Sequence, residues 1–505
     1  MIMFYPNLLN LKNITYKKHK YASFSNGINV DIDENLLPVK YSPMTYNFDY
    51  SNGALKDGMG ISSLKFKYNN IDIYDMYKTL DSTPDSSFIH GCWLFNSWAP
   101  IEKVYVPLIV VYTSSGDFYY NVLRSDRTEI VKIEGLKFQE LPIVSSYKLD
   151  GQDTLILVSE KDGMYIWQYP YYVKKIENAP SISSMCVHNE RLFVSTRGEK
   201  RKIWFSDDLN PTNFNVSNRE GGFIELADEF GKSNKVLSFE GYLYVFRDFN
   251  IARITAYADQ NDFSVSQLYV SNGRIYEKSV CLCGNKIMYL ASDGIYVFSG
   301  SSATRLNLSI NKFFEGVDNS YATAGYCDGY YYLSCKLNYN DETLVENENK
   351  VRFMFNNALI RINVSTGEMV MMRGYDIKEI FVINDILENR ICVQVADKSG
   401  GFMVGILDKS GCYYGVPIKK VWKSPKSDFG YPEKEKLIRE ITLETKQDIT
   451  IQICADDVVK SYELTGGSGY RTIRPYIKGS KIAINFISNK SDNMISNPHV
   501  VVGYL

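Results

Sequence analysis

This chain lacks most of the marks of a catalytic or nucleic-acid-binding protein. Its 505 residues carry a formal net charge of −2, so no global positive field draws it to nucleic acid or an anionic membrane. Only four histidines are present: His19, His90, His188 and His499. None stands in a Gly-x-Ser-x-Gly or His-Glu-x-x-His context, and the structural reading is preferred for all four. No phosphate-binding Gly-x-x-x-x-Gly-Lys-[Ser/Thr] loop occurs, and no Gly-x-Gly-x-x-Gly follows a strand into a helix. No apolar stretch approaches the ~20 residues of a membrane span, and Met1–Lys20 has no signal-peptide core. The nine cysteines are odd in number and follow no repeated spacing, which predicts reduced, mostly buried thiols and production in a cytosol. Cys281 and Cys283 would share one strand face without a second ligand pair, so no metal site is expected.

What is present is a recurring strand, short turn and strand. Val106–Thr113 turns at Gly116 into Phe118–Leu123, and Thr154–Val158 turns at Gly163 into Met164–Tyr169. Arg191–Thr196 pairs with Lys202–Ser206, and Tyr242–Arg247 with Ile251–Thr255. Lys286–Ala291 turns at Gly294 into Ile295–Phe298, Ala358–Val364 at Gly367 into Met369–Met372, and Arg390–Val395 pairs with Phe402–Leu407 across Ser399-Gly400-Gly401. Such hairpins, about 44 residues apart, predict a radial array of four-stranded sheets. The expected fold is therefore all-β: a seven-bladed β-propeller over residues 71–410, preceded by an extended arm or strap over residues 1–70. A small antiparallel β-sandwich follows over residues 411–505, with strands at Lys436–Thr445, Ile449–Ala455, Tyr470–Ile477 and Lys481–Ser488. The strap is rich in turn formers, and Asn338–Lys350 reads as a polar, acidic insertion. Leu306–Glu315 is the best short helical candidate, with Met1–Lys12 second.

Candidate chemistry is thin. Asp117, Asp162, Asp207, Asp208 and Asp293 fall in turns, where aspartate caps its own backbone. Ser159–Trp167 faintly resembles a sialidase Asp-box, with altered spacing. The basic runs Arg197–Lys202 and Lys17–Lys20 read as solvated surface. No catalytic, cofactor-binding or metal residues are assigned, and no cofactor is expected.

Several strings do resemble a known family. Met185–Phe214 contains Arg-Leu-Phe-Val-Ser-Thr, then Lys-Ile-Trp-Phe-Ser-Asp-Asp-Leu-Asn-Pro-Thr-Asn-Phe. It is similar to a unit of bacteriophage tail and virion structural proteins. Val236–Ile254, with Val245-Phe246-Arg247-Asp248-Phe249-Asn250-Ile251, and Met288–Gly300, with Ser-Asp-Gly-Ile-Tyr-Val-Phe-Ser-Gly, resemble further units in the same order. Tyr46-Asn47 through Gly60 resembles their entry strap. The resemblance implies a non-enzymatic propeller subunit of a phage tail, nozzle-like, neck or tail-tip. It implies rings of identical copies, docking to other tail or connector proteins, and genomic DNA passing through the channel without sequence-specific binding. It implies a virion protein assembled in the host cytoplasm and taking part in DNA ejection. Two alternatives stay open: a receptor- or glycan-binding tail module, and a propeller glycosidase with two converging carboxylates.

Overall fold

The computed structural model describes residues 14–21, 24, 26–50, 52–68, 71–75, 87–99, 103–123, 130–218, 221–257, 259–339, 353–385, 389–396 and 401–505. Most of Asn338–Lys350, the Ser399-Gly400 part of the seventh hairpin turn and the Met1–Lys12 helical candidate lie outside the described residues.

Seven sheets follow one another along the chain. Six have four strands in sequence order, the first running Ile89–Ala99, Val104–Thr113, Asp117–Val122 and Val131–Lys137. The second begins at Ile143–Leu149, the third at Ile182–His188, the fourth at Ser233–Phe239, the fifth at Cys281–Leu282 and the sixth at Thr323–Cys327. The seventh takes Ile377–Asn384, Asn389–Ala396 and Phe402–Asp408 from the end of the array. Its fourth strand is Gly60–Ser63, from far upstream, and Cys412–Tyr413 and Val416–Pro417 extend this sheet to six strands. All seven expected hairpins form, each within a residue or two of its expected limits.

The central strands show why the repeat is so apolar. In the second blade, Leu155 and Leu157 pack with Phe95, Leu108, Val110 and Trp167 toward the first blade. Their neighbours Ile156 and Val158 pack with Met185, Leu192 and Val194 of the third. Each sheet is covered on both faces, so both sets of alternating residues are buried and the strands read as continuous apolar runs. The last core cluster joins Phe381, Ile383, Cys392, Val404 and Ile406 of the seventh blade to Ile89, Cys92, Ile109 and Val111 of the first. Strand Ile377–Asn384 touches Ile89–Ala99, so the array closes on itself and forms a propeller. Gly116 shows what the turns require: its φ is +85°, and a Cβ there would lie 2.3 Å from the Phe138 carbonyl oxygen.

Two compact units divide the chain: Ser62–Gly367 with Gly374–Leu407, and Met1–Ile61 with Glu368–Arg373 and Asp408–Leu505. The second unit contains two β-sheets. One has seven strands, including Lys436–Thr445 and Met494–Tyr504; the other has five, including Ile449–Ala455 and Ile482–Ser488. Much of the segment expected as an extended strap is woven into these sheets. Thr15–Lys20 pairs antiparallel with the end of Met494–Tyr504, and Leu55–Asp57 pairs with its beginning. Thr45–Tyr46 pairs with Val421 and Trp422. Strands absent from the sequence expectation, among them Lys420–Trp422, Val458–Leu464 and Met494–Tyr504, complete the sheets. The helical candidate Leu306–Glu315 holds only a 3-10 turn, Asn311–Phe314, fixed by burial of Phe313 and Phe314. No described helix is long and apolar enough to cross a membrane.

Candidate functional site

The histidines sit in structural roles. His188 is buried between the third and fourth blades, its Nδ1 2.8 Å from Ser238 Oγ and its ring edge-on to Phe193. Burial holds its pKa below the usual imidazole value. His90 packs edge-on against Phe402, and burial together with Lys378 lowers its pKa. His19 lies 2.8 Å from Tyr504 Oη, and His499 Nδ1 is 2.9 Å from the Asn497 carbonyl. No two of these four are brought together as an acid–base pair by any contact among the described residues.

The turn aspartates hold turns. Asp162 accepts hydrogen bonds from Ser159 Oγ at 2.6 Å and from the Gln139 N–H at 3.0 Å. Asp293 accepts from Tyr296 Oη at 2.7 Å, and Asp207 from the Asp208 N–H at 2.8 Å. Asp117 is salt-bridged to Lys132 at 3.2 Å. The basic run Arg197–Lys202 is largely neutralised: Arg197 meets Glu160 at 2.7 Å and Lys202 meets Glu199 at 2.7 Å. Among the described residues no group of three or more His, Cys, Asp or Glu side chains could hold a metal ion.

The strap motif forms the most elaborate polar arrangement. Asn47, with φ +64°, serves as a four-way clasp. Its N–H donates to the Met371 carbonyl at 3.0 Å and its Oδ1 accepts from the Arg373 N–H at 2.8 Å. Its Nδ2 donates to the Lys419 carbonyl at 2.8 Å, and its own carbonyl accepts from the Gly58 N–H at 2.9 Å. The Arg373 guanidinium lies 5.0 Å from the Tyr46 ring centre. Backbones approach so closely here that a Cβ on Gly58 would stand 2.6 Å from the Asn47 carbonyl oxygen. One on Gly60 would stand 2.3 Å from Ser410 Oγ and 2.6 Å from the Cys412 carbonyl oxygen. Upstream, Phe24 inserts edge-on between Trp422 and Phe486, with ring centres 5.1 and 5.7 Å away. Tyr21 Oη and Ser424 Oγ, 2.6 Å apart, both take up the Ile484 N–H. Sequence reading found the glycines of this strap as turn formers; it missed the partners of Gly60, Ser410 and Cys412, about 350 residues away.

On the propeller, a cleft of about 210 Å³ opens beside the third blade, with Pro180, Thr196, Glu199, Trp204 and Phe214 in its wall. Trp204 Nε1 donates to Glu199 at 2.6 Å and Lys202 donates to the other carboxylate oxygen at 2.7 Å. These two contacts hold the Glu199 carboxyl below the usual range. The Trp204 ring packs 5.2 Å from Phe223. Large apolar side chains also stand in solvent, notably Tyr171 at 86% exposure and Tyr105 at 57%.

The sequence matches no protein-family profile and no curated protein sequence at a significant level. Similar solved structures include the crystal structure of BBS1N in complex with ARL6DN, at 10% identity and a TM-score of 0.38, covering 60% of this chain and 89% of that one. Saccharomyces cerevisiae Sqt1 is 12% identical with a TM-score of 0.37, covering 59% of this chain and 80% of its own. The extracellular domain of the putative one component system BT4673 from B. thetaiotaomicron is 10% identical with a TM-score of 0.43, covering 86% and 59%. At these identities and scores no function carries over to this chain.

Proposed function

We propose that this chain is a structural subunit of a bacteriophage tail, acting by shape and adhesion, and that copies of it assemble into a ring around the DNA channel. The observation that carries the reading is the ordered resemblance of the strap and three hairpin units to phage tail and virion proteins. Those units fall on consecutive elements: the third, fourth and fifth blades. The strap residues Asn47, Gly58 and Gly60 each have a packing reason to be what they are. A closed propeller protects its own strand edges, so subunits can stand side by side without runaway pairing. Exposed Tyr171 and Tyr105 supply apolar contact area of the kind interfaces use.

The test is the mass of the purified protein by native mass spectrometry, together with antibody labelling of phage particles. A single closed oligomer and labelled tails are expected. A monomer at every concentration, or unlabelled particles, overturns the reading. The Trp204–Glu199 cleft favours a second reading, a glycan-binding tail module, because an aromatic face beside an oriented carboxylate suits a sugar ring. Binding on a glycan array that is lost in Trp204→Ala would select it.

A further inference from the structure

Two cysteines meet where the propeller closes. Cys92 lies on the first strand of the first blade and Cys392 on the second strand of the last. Both are fully buried and free, and both belong to the core cluster formed between those blades, with Ile109 and Val111 on one side and Phe381 and Val404 on the other. Both side chains pack into that cluster, and the neighbouring Cys392 thiol together with burial pushes the Cys92 thiol above the usual cysteine range. A second contact fixes the same approach: Gln394 Nε2 donates to the His90 carbonyl at 2.6 Å. Residues 90 and 394 stand two positions from 92 and 392 in opposite directions. The two strands therefore pass each other with Cys92 and Cys392 at the same level of the seam. In sequence the two cysteines are 300 residues apart, in unrelated contexts.

We propose that Cys92 and Cys392 form a redox-sensitive pair that, when oxidised, covalently staples the last blade to the first. The oxidant is a small-molecule disulfide. One cysteine thiolate attacks it, forming a mixed disulfide and releasing one thiolate. The second cysteine thiolate then attacks the cysteine sulfur of that mixed disulfide, forming the Cys92–Cys392 bond and releasing the second thiolate. Two cysteine thiols are oxidised, one small disulfide is reduced to two thiols, and the protein's two protons pass to those products. Neither thiol touches solvent in the closed ring, so exchange proceeds when the first and last blades are apart, during folding or opening. The staple would close a loop of about 300 residues, the span over which a crosslink restricts the unfolded chain most.

The full chain is refolded from denaturant in oxidised and reduced glutathione, in parallel with chain kept in a strong dithiol reductant. Each sample is alkylated, digested without reduction and read by mass spectrometry. A peptide linking Cys92 to Cys392 is expected in most oxidised molecules, with a raised thermal midpoint that Cys92→Ser and Cys392→Ser each abolish. Folded protein exposed to the same oxidant should form the link at least tenfold more slowly. Absence of the linked peptide after oxidative refolding overturns the proposal, as does preferential pairing of Cys281 with Cys283. A link that leaves the thermal midpoint unchanged also overturns it, since a staple must stabilise closure. The serine variants' far-ultraviolet spectra, matched to the reduced parent, establish that they fold.

Discussion

Asp57 and Lys420 form a buried ion pair, 3.1 Å apart, with side chains 8% and 0% exposed. Lys420 Nζ also donates to the Lys490 carbonyl at 2.6 Å, and Asp57 accepts the Asp492 N–H. One charge therefore arrives from the strap and the other from the C-terminal segment, and either charge left buried alone costs far more than the intact pair.

Removing one member should leave an unpaired buried charge. Asp57→Ala or Lys420→Met is expected to lower stability by about 3–5 kcal/mol, while the double change to apolar residues should recover most of that loss. Urea denaturation of the three variants measures it. Single and double variants of equal stability would show the pair to be unimportant.

His188 predicts an acid-sensitive ring. Burial lowers its pKa from the usual 6.5, so the unfolded state binds the proton more readily than the folded one. Stability from this residue is complete above pH 6.5 and is lost as pH falls from there toward the lowered folded value. His188→Asn should flatten the difference in denaturation midpoint between pH 7.5 and pH 5.5. A parent slope retained in the variant would place the titration elsewhere.

Gly60→Ala should be severe although it adds one methyl group. The new carbon meets Ser410 Oγ and the Cys412 backbone at 2.3–2.7 Å, and backbone cannot swing aside as a side chain can. A loss of about 1–3 kcal/mol or more is expected, visible as a lowered thermal midpoint. Gly329→Ala is the contrast: nothing lies within 4 Å of its added carbon, and its cost is only that of its φ of +83°.

Asp376 organises the passage into the seventh blade. Its carboxylate accepts the N–H groups of Met354, Phe355 and Asn356 at 2.6, 2.9 and 2.9 Å. Asp376→Ala strands three donors and should cost about 2–4 kcal/mol. Amide hydrogen exchange should show those three positions losing protection first. Unchanged exchange there would mean that other groups hold the segment.

Much of the architecture was legible in the residues. The runs Leu155–Val158 and Leu108–Val111, each followed by a short Gly turn, announce central strands and their hairpins, because strand pairing across a tight turn is local chemistry. The fourth strand of the seventh blade was not legible. Gly60-Ile61-Ser62-Ser63 has no apolar run and no nearby partner, and only the closing sheet gives it a place. Thr15–Lys20 likewise reads as a basic surface run, since its register with residues 499–504 depends on a segment nearly 500 residues away. The same holds for Asn47: its turn preference is visible, but its four partners are not.

The sequence by itself determined the local units: strands, turns, and the apolar alternation that makes each sheet bury both faces. Tertiary structure alone decided which distant segments complete them, bringing Gly60–Ser63 into the seventh sheet, Thr15–Lys20 against Met494–Tyr504, and Cys92 against Cys392. The reason is one of range. Dihedral preference and hairpin pairing act over a few residues, whereas a sheet edge or a buried charge is satisfied by whatever the folded chain carries to it, at any separation in sequence.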